Sequence, residues 1–444
     1  MHYDLIIKNG ILVTPQDNSS LDIAVSGGKI IKKGILDASD TADEIYDAKG
    51  KHVLPGIIDA HVHFRDPGLT EKEDFETGSI AAAMGGITMI ADMPNVIPVT
   101  CTIERFNEKV LIAREKSYID FALFALLNND NLNEMEGLKK AGALGYKVFL
   151  GTSTGEIAAP SPAILEQQMI ECQKLNMRIG LHCETSDLNT YHTSVIRKND
   201  TLKAGEAFSL ARPVFSETLA VQTALCYSQN TQAKIMIHHV TCKDAALLVA
   251  EAKQKGINVK AETCPHYLLF NCESHSFRVY PPIRSETCRK TLWDSLKNGT
   301  IDMIATDHAP HTAEEKKLPV WEVPAGLNSV ETSVQLMLNE VNNGKLTLNE
   351  YVSLASENPA KIWGIYPRKG SMEPGTDADF TIVDMNKVKQ INENELYSKS
   401  KTSPYNGKIT KGSPEATIVR GVFVMKDGIL TGKKGYAEFI SPEL

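Results

Sequence analysis

Through the middle of this chain, short apolar runs alternate with longer stretches that carry apolar residues at helical spacing. Eight runs have strand length: residues 56–62, 86–93, 120–126, 145–150, 178–182, 234–240, 257–262 and 301–306. Between them lie segments such as 75–84, closed by Gly85-Gly86, and 245–255, ended by Gly256. A glycine just past the last periodic residue is a helix stop, because it accepts the left-handed backbone there at no steric cost. Strand–helix alternation implies a parallel sheet, and eight repetitions imply an α/β protein closed into a (β/α)₈ barrel of the TIM type. An open doubly wound sheet is the alternative, although it normally has fewer strands.

The two ends have a different texture. Residues 5–7, 11–13, 23–25 and 29–31 read as strands separated by Asn9-Gly10 and Gly27-Gly28. Similar runs return at 380–383 and 417–424, the first preceded by the turn-rich Glu373-Pro374-Gly375-Thr376-Asp377. Two β-rich ends around an α/β middle predict a small composite β-sandwich domain formed by both termini. The expected division is 1–55 and 369–444 for that domain and 56–368 for the barrel.

Composition narrows the function classes. With 444 residues, 42% of them hydrophobic, the chain can bury a large core. The net charge of -8 and the lack of any polybasic run exclude a broad nucleic-acid footprint. No run is long enough to span a bilayer, and Met1–Gly10 lacks the features of a secretory signal. The eight cysteines (101, 172, 183, 226, 242, 264, 272 and 288) contain no Cys-x-x-Cys pair and read as packing residues in a reducing compartment. The expectation is a cytoplasmic protein that acts on a small molecule, without nucleic acid or membrane.

In a barrel the informative polar groups are those at the C-terminal strand ends. Strand one ends in Asp59-Ala60-His61-Val62-His63, where alternation puts both histidines on one face, able to grip one ion. Strand four carries Lys147, strand five ends at His182, strand six at His238-His239, and strand eight runs into Asp307. Alternation groups Ile235, Ile237 and His239 on one face, making His239 the ligand candidate and leaving His238 to pack against a helix. Each residue alone has an ordinary explanation: a hydrogen-bonded core histidine, an N-cap aspartate, a lysine reaching solvent. Five of eight strand ends filled this way point instead to a shared site. Imidazole and carboxylate suit zinc or a similar divalent ion. An ammonium among such ions would be repelled, so Lys147 is expected to be neutral, displaced or converted to an anionic carbamate by carbon dioxide. A Schiff-base aldolase would also use a strand-end lysine, but four histidines and an aspartate around it favour metal.

These residues lie in motifs that resemble the amidohydrolase superfamily, and within it the dihydroorotase family. The motifs are residues 55–68 (PGIIDAHVHFRDPG), 92–95 (DMPN), 306–312 (TDHAPHT), 358–361 (NPAK) and 375–379 (GTDAD), and the likeness runs from Asp4 to about Gly421. The resemblance implies two zinc ions, one held by His61, His63 and Asp307 and one by His182 and His239, bridged by a carboxylated Lys147 (an N6-carboxylysine) and a hydroxide. Asp307 would carry the proton from the attacking oxygen to the departing ring nitrogen, in the reversible hydrolysis of dihydroorotate to carbamoyl-aspartate in pyrimidine synthesis. Relatives of this kind are often homo-oligomers.

The resemblance also implies substrate contacts. Arg65 offers a planar fork for a carboxylate, which it would bind together with Asn95 and His311, while the main chain of Ala325 and Gly326 would contact the ring. Thr154, in the 151–156 loop after strand four, is a further candidate contact, while His266 in Thr263-Cys264-Pro265-His266-Tyr267 has no assigned role. One departure stands out. The family typically has asparagine before the Pro281-Pro282 pair, and here Tyr280 occupies that place without an amide's paired donor and acceptor. That leaves another cyclic amidohydrolase, an allantoinase or a hydantoinase (dihydropyrimidinase-like), as the alternative. A non-catalytic relative serving as scaffold usually loses metal ligands, and here every ligand position is filled.

Overall fold

The structure, a computed structural model, describes residues 1–151 and 157–442. Parallel strands form its middle. Ile57–Val62, Ile87–Asp92 and Asp120–Leu123 make a three-stranded arc. Ala125–Leu126, Tyr146–Phe149, Arg178–His182, Lys234–Ile237, Val259–Thr263 and Met303–Ile304 make a six-stranded one. The expected third strand is interrupted at Phe124, and each of its halves pairs with a different arc. The last strand is only two residues long, shorter than expected. Between it and the first strand the ladder is not continuous. There the Asp59 carboxylate accepts from the Thr306 N–H (3.0 Å) and hydroxyl (2.5 Å), and the His63 N–H donates to the His308 carbonyl (2.8 Å). The middle is therefore a barrel-type α/β domain.

Alternation along the strands feeds two apolar layers. Tyr146, Val148, Ile179, Leu181, Ile235 and Ile237 join a large cluster with Leu165 and Met169 of helix Pro162–Lys174 and Val221, Ala224 and Leu225 of helix Val214–Thr231. The opposite faces, including Ile58, Met89, Ala122, Phe124, Met236 and Met303, fill the interior together with Trp363 and Ile440. Ile440 donates its N–H to the Phe121 carbonyl near the strand starts (2.8 Å). Apolar side chains thus plug that end, and the polar ones collect at the other. Helix Phe75–Met84 has the expected bounds, with Asp74 accepting from the Thr77 N–H (2.9 Å) as N-cap.

The β-rich ends form two sheets. One joins His2–Lys8, Asp22–Ser26, Lys29–Gly34 and Thr41–Asp47. The other has seven strands, and there His52–Pro55 pairs antiparallel with Phe380–Gln390. A single apolar cluster lies between them, with Leu5, Ile7, Ile23 and Val25 from one sheet and Val53, Phe380, Ile382 and Ile418 from the other. One reading is corrected, and one strand is added. The run 417–424 is not one strand: Ile409–Val419 and Val422–Lys426 form a hairpin, turning at Arg420 and Gly421 with φ of 43° and 76°. Both values are positive, as a type I′ turn requires. Strand Thr41–Asp47 was not anticipated, because most of its residues are exposed and it lies at a sheet edge, where no apolar alternation is needed.

Where the barrel meets the β sheets, Lys369 Nζ is buried among three carboxylates: Asp120 (2.5 Å), Asp379 (2.7 Å) and Asp377 (2.9 Å). Arg420 pairs with Asp120, and Lys29 (2.6 Å) and Arg368 (3.0 Å) pair with Asp377. Among the described residues no helix is long and apolar enough to cross a membrane.

Candidate metal centre

The strand ends bring together the six predicted donors. His63 Nε2 lies 3.0 Å and His61 Nε2 3.5 Å from Asp307 Oδ1, and these ligand atoms all fall within 4.8 Å of one another. Across the mouth, His182 Nδ1 and His239 Nε2 face each other at 3.0 Å. The His61 and His239 rings are 5.5 Å apart, joining the two groups. Lys147 pairs in register with Gly180 of the neighbouring strand, and its Nζ is buried with no hydrogen-bond partner among the described residues. Burial disfavours charge on these groups: it lowers His61 to about 3, lowers His63, His182 and His239, and brings Lys147 down to about 8.

This donor set fits divalent metal. Neutral imidazoles and a carboxylate oxygen converge, as zinc sites require. The Lys147 amine is an uncompensated buried donor that neutralisation or conversion to an anion would relieve.

Three imidazoles also have their remote nitrogens fixed. His61 Nδ1 bonds to Glu262 Oε1, His63 Nδ1 to Asn95 Oδ1 (2.7 Å) and His182 Nε2 to Glu184 Oε2 (2.9 Å). A partner on the far nitrogen sets the tautomer and aims the near nitrogen at the ion. Glu262 and Glu184 were missed in the sequence, although each carried the same signal as the ligands, an acid at a strand end in an apolar setting.

His238 requires a correction. It does not pack on the helix side but points inward, with Nδ1 2.8 Å from Glu262 Oε1 and its ring 4.6 Å from that of His61. The inward face of that strand is the one bearing Met236, and Ile235 and Ile237 face the helices. His239 nevertheless reaches the site because the strand ends at Ile237 and His239 takes φ of 38°, which breaks the alternation. Arg65 (62°) and Asp307 (47°) are also left-handed. Such backbone is uncommon for non-glycine residues and concentrates where a site dictates side-chain direction.

The interior leaves no slack beside His238. A Cβ on Gly180 would lie 2.0 Å from His238 Nε2. Gly180→Ala should therefore cost about 1–3 kcal/mol of stability, the usual penalty of overpacking, measured by urea unfolding. A neutral result would mean that the ring moves aside freely.

Beside Asp307 a narrow cleft is lined by His63, Arg65, Asn95, Tyr280, Asp307, Ala309, Ala325 and Gly326. His311 stands one layer back, with Nε2 2.9 Å from the Ala325 carbonyl and 3.5 Å from the Arg65 guanidinium. Arg65 is buried and donates to the Pro310 carbonyl (3.3 Å), and burial brings it down to about 10. Among the described residues no carboxylate lies within ion-pair distance of it. Tyr280 rests on Arg212, whose guanidinium carbon is 3.6 Å from the ring centre. Thr154 lies outside the described residues. His266 is buried against Tyr267, their rings 4.1 Å apart.

Residues 52–424 match the model of the amidohydrolase family. The chain is 36% identical to a dihydroorotase of Methanosphaera stadtmanae over 96% of its own length and 97% of the relative's. It is 34% identical to an allantoinase of Deinococcus radiodurans, covering 97% of each. Among solved structures, L-hydantoinase (dihydropyrimidinase) from Arthrobacter aurescens superimposes with a TM-score of 0.95 at 33% identity, over 99% of this chain and 100% of that one.

Proposed function

The chain belongs to the amidohydrolase family, and from that premise we propose that it hydrolyses a cyclic amide bearing a carboxylate, with dihydroorotate as the substrate. The observation that carries this reading is Arg65, a buried guanidinium in the cleft wall whose protein partners are neutral. A buried cation of this kind is costly unless an anion completes it, and a substrate carboxylate matches its fork.

His61, His63 and Asp307 would hold one zinc ion and His182 and His239 a second. Lys147 would link them once its neutral amine adds carbon dioxide and loses a proton, giving a carbamate. Such ions supply Lewis acidity and an activated water at neutral pH. The rest falls to the side chains. Arg65 grips the carboxylate, and the Ala325–Gly326 main chain borders the ring. Asp307 takes the proton of the attacking water as the carbon–oxygen bond forms, then delivers it to the ring nitrogen as the carbon–nitrogen bond breaks. Run backwards, the same transfers close carbamoyl-aspartate to the ring.

Tyr280 supports a second reading. The cleft presents a phenol where the dihydroorotase pattern has an amide, so an uncarboxylated ring, as in hydantoin or allantoin, is the competing substrate. Assaying dihydroorotate, allantoin and hydantoin side by side, with metal analysis of the purified protein, tests both. Turnover of allantoin or hydantoin without dihydroorotate would replace the first reading with the second. Arg65→Met should raise KM for dihydroorotate roughly 10- to 150-fold, the equivalent of a lost charge-assisted hydrogen bond, and leave KM for hydantoin nearly unchanged. Equal rises for both would make the arginine structural.

A further inference from the structure

Glu184 sits two residues beyond His182, wholly buried, with both oxygens in use. Oε2 accepts from His182 Nε2 (2.9 Å) and from Arg212 NH2 (2.5 Å). Oε1 accepts from Arg212 Nε (2.9 Å) and from the Asn189 amide (3.3 Å). The fork of Arg212 is thereby fixed edge-on, and its flat face carries the Tyr280 ring at 3.6 Å. Arg278 approaches the same ring at 5.1 Å. Tyr280 in turn forms part of the cleft wall. A continuous series of contacts thus runs from an imidazole at the metal centre to the surface that meets the substrate.

We propose that Glu184 is a positioning residue that fixes a metal ligand and the cleft wall from one carboxylate. The inference rests on the metal and substrate reading given above. Its physical basis is geometric: a planar carboxylate held at both oxygens cannot turn toward Arg212 without turning away from His182. The aim of His182 Nδ1 at the ion and the seat of Tyr280 therefore depend on a single torsional setting. A metal-bound imidazole that loses its partner typically loses 10- to 100-fold in metal affinity. A cation stacked on an aromatic face holds that ring only while its own position is held.

The test compares wild type with Glu184→Gln and Glu184→Asp. Zinc affinity is measured by competition with a chelator, and kcat and KM for the cyclic amide are measured at saturating zinc. Glu184→Gln should raise the zinc Kd about 10- to 100-fold and also raise KM several-fold at saturating zinc. Glu184→Asp keeps the charge but is one methylene too short to serve both partners. It should move both quantities the same way by smaller factors, and it carries the test if the glutamine variant does not fold. An ordinary buried salt bridge would lower the melting temperature and leave zinc Kd and KM of the folded protein alone. A zinc Kd within twofold of wild type in the folded variants, or an unchanged KM at saturating zinc, would overturn the proposal. Wild-type protein that takes up no zinc would instead sink the metal reading itself, and this inference with it.

Discussion

Asp307→Asn should lower kcat for the cyclic amide by about 10²–10⁴-fold while KM stays within a few-fold of wild type. That is the range for a lost proton-transfer group, and a loss confined to kcat marks an interaction made only as the reaction proceeds. Asparagine is the right replacement for a backbone reason. Residue 307 is left-handed, with φ of 47°, and asparagine is among the few non-glycine residues that tolerate this region, whereas alanine would add strain. It also keeps the reach to His63 Nε2, 3.0 Å away. Because the same carboxylate would ligate metal, the measurement belongs at saturating zinc, with metal content determined alongside. A kcat within tenfold of wild type at full occupancy would remove Asp307 from the proton's route.

Lys369→Met should destabilise the protein by about 3–5 kcal/mol, the usual cost of removing one partner from a buried ionic group. Asp120 keeps Arg420 after the change, and Asp377 keeps Lys29 and Arg368. Among the described residues Asp379 has no second ion-pair partner, so its carboxylate is left buried and opposed by its acidic neighbours. The effect would appear as a lowered urea midpoint with unaltered kcat of the folded protein, since the group lies at the strand starts, away from the cleft. A double variant, Lys369→Met with Asp379→Asn, should recover part of the loss. No recovery would mean that the lysine's packing, rather than its charge, is what matters there.

Much of this architecture was legible in the residues. The strand–helix alternation marked the parallel middle because both periodicities are driven by burial, and burial here is nearly complete. The gathering of polar side chains at the strand ends was legible for a related reason: each alone has an ordinary explanation, but five of eight buried runs ending in one do not. What escaped was set by tertiary context. Strand Thr41–Asp47 shows little apolar alternation because it lies at a sheet edge with most of its side chains exposed. The inward direction of His238 escaped, and His239, expected at the site, reaches it through a left-handed torsion that no local pattern announces rather than by alternation. Glu184 and Glu262 went unassigned because their value lies in the imidazole each faces, which for Glu262 is His61 on another strand and for Glu184 is His182 two residues before it. The hairpin at Arg420–Gly421 was hidden by apolar residues on both sides of its turn.

The pairing of His52–Pro55 with Phe380–Gln390 has a temporal side. During synthesis the first strand leaves the ribosome about 325 residues ahead of its neighbour, a delay on the order of 15–65 s at ordinary elongation rates. For that interval Val53 and Leu54, both buried in the finished molecule, have no partner from the far end of the chain. Nascent protein should thus pass through a period in which the α/β region can assemble while the amino-terminal strands wait, exposed to chaperones and to other copies of themselves.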